Sequence, residues 1–215
     1  GSNIVINLAG HTRVLESIED PSLSFVYNVK GFFDVLMASK ELGIKKIINA
    51  SSGGAIVGDA IPPIDENFFP KPISPYGASK LCNEAFSSAF NGSYNINVIN
   101  LRFSNVYGRY CRNKNSAVAK FIKQILNNEE IHIYGDGNQT RDFLFVEDLV
   151  DALDCCLMKD DINGVFQLGS GTPTSVNELL ESITRISKKN LNIQYFPANK
   201  GEIEQNYANI TKAKT

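Results

Sequence analysis

Ser74-Pro75-Tyr76-Gly77-Ala78-Ser79-Lys80 is the stretch on which the reading of this chain turns. Ser74 is a good N-cap, and Pro75 suits the first helical position, where its missing N–H costs nothing. A helix therefore starts here, and Tyr76 and Lys80, four residues apart, share one of its faces. An ammonium held near a phenol favours the phenolate, lowering a pKa that begins near ~10. The pair predicts a tyrosine able to act as a general base. Tyr-x-x-x-Lys is a short pattern, and it recurs at Tyr110 and Lys114. That second copy lies in a polar run with no cap and no apolar periodicity, and it reads as a solvated loop. The surroundings of the first copy set it apart.

Upstream, Ile4-Val-Ile-Asn-Leu-Ala9 is an almost continuous apolar run ending at Gly10, the pattern of a strand buried on both faces of a parallel sheet. A helix is expected from Ser22 to Leu42, stopped by Gly43. It carries Phe25, Val29, Phe32, Phe33, Leu36 and Met37, more apolar surface than one face requires, so a partner helix is expected. Ile44 to Ala50 is the next strand and delivers Ser51-Ser52-Gly53-Gly54. After the helix that starts at Ser74, Asn97 to Leu101 is a third strand. Strand and helix alternate, which predicts an α/β protein with a parallel sheet. Ligands of such sheets bind beyond the carboxyl ends of the strands. Residues 8–10, 51–54 and 102–105 all leave strands on that side, and the Tyr76 helix starts after the second of these loops.

Beyond Asn105 the rhythm changes. Helices are expected over 116–126, 147–158 and 176–186, and short strands over 131–134, 143–146, 165–168 and 191–196. The reading is residues 1–104 as a cofactor-binding unit and 105–215 as a smaller interleaved α/β lobe, with a return to the main sheet near 143–158.

The chain has 215 residues, 43% hydrophobic and 20% charged, with net charge −2, which describes an ordinary globular protein. Lysine and arginine are scattered, so nothing marks a nucleic-acid or anionic-membrane partner. No apolar run approaches the ~20 residues of a membrane span, and nothing reads as a signal peptide. Cys82, Cys111, Cys155 and Cys156 have no framework spacing and read as reduced thiols of a cytoplasmic protein. His11 and His132 stand in no ligand-like spacing with them, so no metal site is expected.

Several stretches fall in a common order: Asn7-Leu-Ala-Gly10, Asn28 with Gly31, Ser51-Ser52-Gly-Gly-Ala-Ile-Val-Gly58, Pro75-Tyr76-Gly-Ala-Ser-Lys80, Leu101-Arg-Phe-Ser-Asn105-Val-Tyr-Gly108, Gly135-Asp-Gly-Asn-Gln-Thr-Arg141-Asp-Phe143, and Gly201-Glu202 with Tyr207 to Lys212. Jointly they resemble the extended short-chain dehydrogenase/reductase family, in particular its NAD-dependent nucleotide-sugar epimerases of the UDP-glucose 4-epimerase type. The resemblance implies a Rossmann-like sheet, a bound NAD, and Tyr76 taking a proton from a sugar hydroxyl. Lys80 would hold the nicotinamide ribose and keep Tyr76 acidic. Ser52 would hold the sugar hydroxyl, with Ser51 its alternative and a cofactor neighbour. Leu8, Ala9, Gly10, Asn28 and Ser104 would contact the cofactor, although Asn28 is equally suited to satisfying a buried backbone group. Asn105 and Arg141 would contact the substrate diphosphate, and Glu202 the nucleotide ribose. Asn206 would line the pocket beside the sugar's 2-substituent, where its modest size admits an N-acetyl group. The resemblance also implies a homodimer built on helices carrying Phe25, Phe32, Phe33, Leu36, Leu81, Phe86 and Phe90.

The chain departs from the family pattern at Val57, where a tyrosine is usual, and at Asn199-Lys200, where Arg-Pro is usual. The glycine-rich turn that opens the family is not found either, so the sequence reads as an N-terminally truncated copy. The alternatives are a 4,6-dehydratase or decarboxylase of the same family and a non-catalytic sugar-nucleotide-binding or dimerising fragment. Dehydratases carry acid/base carboxylates after the catalytic hydroxyl. Gly53 and Gly54 stand there, which favours epimerisation.

Overall fold

The structure, a computed structural model, describes residues 2–111, 116–189, 191–198 and 203–215. The chain runs through β1 (Ile4–Asn7), α1 (Val14–Glu19), α2 (Pro21–Ser24), a π-helical turn (Phe25–Lys30) and α3 (Gly31–Glu41). It continues through β2 (Lys46–Ser52), α4 (Gly53–Val57), α5 (Pro75–Tyr94), β3 (Asn97–Phe103), β4 (Asn105–Tyr107) and α6 (Ala117–Leu126). Next come β5 (Ile131–Tyr134), β6 (Thr140–Arg141), β7 (Phe143–Phe145), α7 (Val146–Met158) and β8 (Gly164–Leu168). The last elements are β9 (Thr174–Ser175), α8 (Val176–Ser187), β10 (Ile193–Phe196), β11 (Gln205–Asn206) and a 3-10 turn at Lys212–Lys214.

The main sheet is parallel, in the order β1-β2-β3-β8. Because side chains alternate across a strand, Ile47 and Ile48 serve opposite faces. Ile47 and Val98 pack with Phe32 and Leu36 of α3 and Phe90 of α5. Ile48, Ile99 and Leu101 pack with Leu149 and Cys156 of α7. The smaller lobe has its own core, in which Phe121 and Ile125 of α6 meet Ile131 and Ile133 of β5 and Leu180 of α8. The 143–158 stretch returns to the main sheet as a covering helix, and the strand that enters the sheet is β8. Lys46 fastens that helix at its C-terminal end, where Nζ donates to the carbonyls of Cys156 (3.2 Å) and Lys159 (2.9 Å).

Three strands carry asparagine at the same level. Asn7, Asn49 and Asn100 are register partners. Asn7 Nδ2 donates to Asn49 Oδ1 (2.8 Å), and Asn49 Nδ2 donates to Asn100 Oδ1 (2.9 Å). Ser87 Oγ of α5 lies 3.2 Å from Asn100 Oδ1 and ties the row to the covering helix. All three asparagines are buried, so the row satisfies amides that would otherwise be orphaned in the sheet.

The two edges of the sheet differ. On β8, Gln167 N–H donates to Glu66 Oε1 (2.7 Å), and the carbonyl of Val165 accepts from Lys212 Nζ (2.6 Å). These charged groups blunt the edge. β1 occupies the other edge, and Ile6 is 42% exposed there instead of buried on both faces as its apolar run predicts. The helix expected from Ser22 begins one residue earlier, with the Asp20 carboxylate accepting from Ser22 N–H (3.0 Å), and it is broken by the π turn. The surplus of apolar residues on α3 and α5 is largely consumed inside the chain. Phe32, Leu36 and Phe90 are buried, and Phe33 packs edge-on against Phe86 and Phe90, with centroids 5.2 and 5.9 Å apart. Phe25 of the π turn stays exposed.

Candidate active site

Ser74 caps α5 as its sequence predicts, its Oγ accepting from Gly77 N–H (3.1 Å). The helix then lays Tyr76, Lys80 and Glu84 along one stripe against the carboxyl ends of β2 and β3. All three are buried. Successive residues of β2 meet this stripe. The Ser52 hydroxyl lies near enough to Tyr76 to lower its pKa. Lys80 Nζ donates to the carbonyl of Ala50 (2.9 Å). Ser51 Oγ donates to Glu84 Oε1 (2.6 Å), and Glu84 is gripped in turn by Arg102 of β3.

The electrostatics depart from the expectation of an acidified phenol. Burial pushes the Tyr76 pKa up, and the nearby Ser52 hydroxyl offsets only part of that. Burial likewise lowers Lys80 to about 8. Its ammonium lies 5.9 Å from the centroid of the Tyr76 ring and is directed at the Ala50 carbonyl. Lys80 has one of its three N–H donors committed there, which leaves two for a ligand.

The loop after β1 closes on the same place. A Cβ on Gly10 would lie 2.8 Å from Asn28 Oδ1 and 3.7 Å from Lys80 Nζ, so glycine is what lets this backbone approach the site. Asn28 clamps the next residue. Its Oδ1 accepts from His11 N–H (2.7 Å), and its Nδ2 donates to the His11 carbonyl (3.0 Å) and to Ser79 Oγ (2.9 Å). The asparagine thus does satisfy buried backbone, and in doing so it fixes the loop that carries Leu8, Ala9 and Gly10. Those three residues are exposed.

The remaining predicted residues lie after β3, on β4 and in the lobe. Ser104 N–H donates to the Leu168 carbonyl (2.8 Å) and Asn105 N–H to the Asp142 carbonyl (2.9 Å). Arg141 on β6 is the register partner of Asn206 on β11. Arg141 Nη1 donates to the Thr140 carbonyl (2.8 Å). Asn206 lies over Gly54 of α4, two residues after Ser52, and its Nδ2 occupies the space where a Cβ on residue 54 would be. Glu202 lies outside the described residues, as do Gly201, Asn199, Lys200 and Lys114. Tyr110 of the second Tyr-x-x-x-Lys copy is fully exposed.

Several supporting residues escape a sequence reading. Ser17 Oγ accepts from Tyr76 N–H (3.2 Å), and Ser79 Oγ donates to the Tyr76 carbonyl (2.7 Å). Asp142 knots three segments together, with its carboxylate accepting from the N–H groups of Ser170 (2.7 Å), Gly171 (3.2 Å) and Ala208 (3.2 Å). Glu84 was detectable, since it stands four residues beyond Lys80 on the same helical face. Among the described residues, no group of His, Cys, Asp and Glu could hold a metal ion, and no helix is long and apolar enough to cross a membrane.

Ser52, Tyr76 and buried Lys80 thus come together at the carboxyl end of β2. The model of the NAD dependent epimerase/dehydratase family matches residues 1–169. The chain belongs to this family.

Within the family, the chain is 35% identical to the UDP-glucose 4-epimerase of Thermotoga maritima, solved with UDP-glucose, with a TM-score of 0.92 over 99% of this chain and 70% of that one. It is 31% identical to the UDP-N-acetylglucosamine 4-epimerase of Methanobrevibacter ruminantium, solved with UDP-N-acetylmuramic acid, with a TM-score of 0.93 over 99% and 69%. The UDP-glucuronate 4-epimerase of Thermodesulfobacterium geofontis is 31% identical over 212 residues, 98% of this chain and 65% of that protein. The chain thus spans about two thirds of the length of these relatives. The residues present suit the family's NAD: the Gly10 backbone lies open beside Lys80, whose ammonium keeps two free donors. Lys80, Tyr76 and the 8–10 loop are the groups that would hold it.

Proposed function

We propose that the protein is an epimerase that inverts C4 of a UDP-linked hexose through a transient 4-keto sugar, with NAD as its cofactor. Tyr76 and Lys80 buried on one face of α5, with Lys80 bonded to the β2 carbonyl just before Ser51-Ser52, is the observation that carries this reading. Ser52 orients the sugar's 4-hydroxyl, and the phenol oxygen of Tyr76 takes its proton. NAD, when bound, supplies the hydride acceptor and donor and a positively charged ring. The protein's own task is to make the phenol basic enough. Burial alone opposes this, so the cationic charge of Lys80 and of the cofactor has to supply the acidification. The keto sugar turns so that C4 offers its opposite face for return of the hydride, and Tyr76 gives the proton back to O4, which completes the inversion.

In this assignment residues 1–104 hold mainly the cofactor and 105–215 mainly the nucleotide sugar. Leu8, Ala9, Gly10, Asn28 and Ser104 face the cofactor. Asn105 and Arg141 hold the diphosphate, which suits the planar fork of arginine, and Glu202 the ribose. Asn206 lines the sugar pocket. Ser51, bonded to Glu84, acts by holding the strand in place. A dehydratase needs a proton-transferring side chain after Ser52. The Gly53-Gly54 pair is flanked by the carboxamides of Gln167 and Asn206, and an amide carries no titratable proton in the neutral range. Four free thiols suit the cytoplasm, and a homodimer forms through the exposed apolar residues of α1 and the π turn. The test is to incubate protein and NAD with UDP-glucose and follow formation of UDP-galactose. Release of a dehydrated 4-keto-6-deoxy product instead would assign the dehydratase reaction.

A further inference from the structure

Tyr76, Lys80 and Glu84 recur at every fourth residue of α5, so their side chains stack along one face. The first two belong to the reaction as read above, and Glu84 stands behind them. It is buried and accepts hydrogen bonds from Ser51 Oγ (2.6 Å), Arg102 Nε (2.9 Å) and Arg102 Nη2 (2.8 Å). Arg102 is also buried and reaches α5 from β3, where it is the register partner of Ser51. Among the described residues Glu84 is the only carboxylate paired with it, and its Nη1 meets no acceptor. A permanent cation is thus held out of water close behind Lys80.

We propose that Glu84 is a positioning residue that keeps Lys80 cationic, by cancelling the buried charge of Arg102 at the foot of the Tyr76–Lys80 stripe. The inference rests on the role given to Lys80 above. Two cations in a desolvated place oppose each other, and the ammonium is the one that can yield its proton. Burial alone lowers Lys80, to about 8, and Arg102 adds nothing to that. The Glu84 carboxylate, bonded to Arg102 and one helical turn from Lys80, accounts for the balance. Other charges near this face of α5 are answered elsewhere. His11 of the 8–11 loop and Arg13 both pair with Glu16 of α1, Asp20 caps α2, and Lys30 of the π turn pairs with Asp34. On β2, Lys46 sits at the opposite end of the strand and pairs with Asp160. Tyr76 is the remaining titrating neighbour.

The experiment follows the Lys80 side-chain resonance against pH in cofactor-free protein carrying isotope-labelled lysine, with Lys80→Arg to assign the signal. The wild type should titrate at about 8. Glu84→Gln keeps the shape and removes the charge. A unit charge at about 10 Å and an effective dielectric of ~20 moves a pKa by roughly one unit, so the midpoint should fall by that much. Arg102→Met leaves the carboxylate alone, and the midpoint should rise. Glu84→Gln combined with Arg102→Met removes both charges and should restore the wild-type value. A merely structural pair would lower stability in these variants without moving the midpoint in opposite directions. An unmoved midpoint in Glu84→Gln, or shifts of one sign in both single variants, would overturn the proposal. If Glu84→Gln does not fold, Arg102→Met and the double variant carry the same comparison. NAD affinity over the same pH range should follow the midpoint. If the resonance shifts and the affinity does not, the charge balance stands, and the assignment of Lys80 to the cofactor fails.

Discussion

Glu84 and Arg102 meet as a two-pronged ion pair beneath the candidate active site, with Arg102 Nε 2.9 Å from Glu84 Oε1 and Nη2 2.8 Å from Oε2. Both side chains are buried, and Ser51 adds a third hydrogen bond to the same carboxylate. One helix and two strands are joined at this point, a single helical turn from Lys80. Removing one partner leaves an uncompensated buried charge, which costs roughly 3–5 kcal/mol. Arg102→Met should therefore lower the urea midpoint far more than a surface substitution, and Arg102→Met with Glu84→Met should recover part of the loss. A single variant as stable as the wild type would show that the pair holds nothing together.

Tyr76→Phe keeps the ring and its packing and removes only the phenolic hydroxyl near Ser52. Turnover should fall by about 10²-fold or more, the usual scale for loss of a general acid/base, with the melting temperature little changed. Paired measurements of kcat and of thermal unfolding check this. Near-normal turnover would remove Tyr76 from the mechanism.

Lys80 sets a pH limit. Its ammonium is lost as pH rises through about 8, and with it the positive charge that Tyr76 needs. In the protein without cofactor, binding of NAD should weaken above that pH, and Lys80→Arg, which cannot deprotonate in this range, should flatten the limb. The sign for stability is the opposite. Between about 8 and 10.5 the unfolded chain holds a proton that the folded chain has released, so this group's contribution rises with pH. NAD titrations and denaturation curves at pH 7 and 9 test the two directions.

Leu15 and Ile18 of α1 and Phe25 and Val26 of the π turn are exposed. Apolar surface of this kind marks an association site. Sedimentation at micromolar protein should give a dimer, and Phe25→Asp should shift it towards monomer. A monomeric wild type would leave these residues without a partner.

Periodicity and capping made the sheet and its main helices legible: Ser74-Pro75 marks the start of α5, and the apolar runs mark β2 and β3. What lay beyond reach depends on distant pairing. β6, β9 and β11 are two-residue strands, too short to carry an alternation. The π turn follows from no local composition. Asn28 could be named from the sequence, but its grip on both polar groups of His11 is set by a loop 17 residues away. The acidified Tyr76 inferred from spacing alone was an incomplete account, because spacing gives proximity along a helix and says nothing of desolvation. Asp142 and Arg102 stood inside motifs already singled out, and only the folded contacts reveal what they hold.

The asparagine row has a consequence for how the strands find one another. Val5-Ile6-Asn7, Ile47-Ile48-Asn49 and Val98-Ile99-Asn100 are nearly the same tripeptide, aligned level with one another. A slip of any one strand along its axis strands a buried amide, so the row fixes height like the teeth of a key. It cannot fix sequence of assembly, because each tooth fits each neighbour equally well and β1 could in principle dock against β3. That choice falls to the connecting helices, whose crossovers have one preferred hand. Swapping the three tripeptides among the strands should therefore leave the topology untouched, whereas shortening the link between β1 and β2 should scramble it.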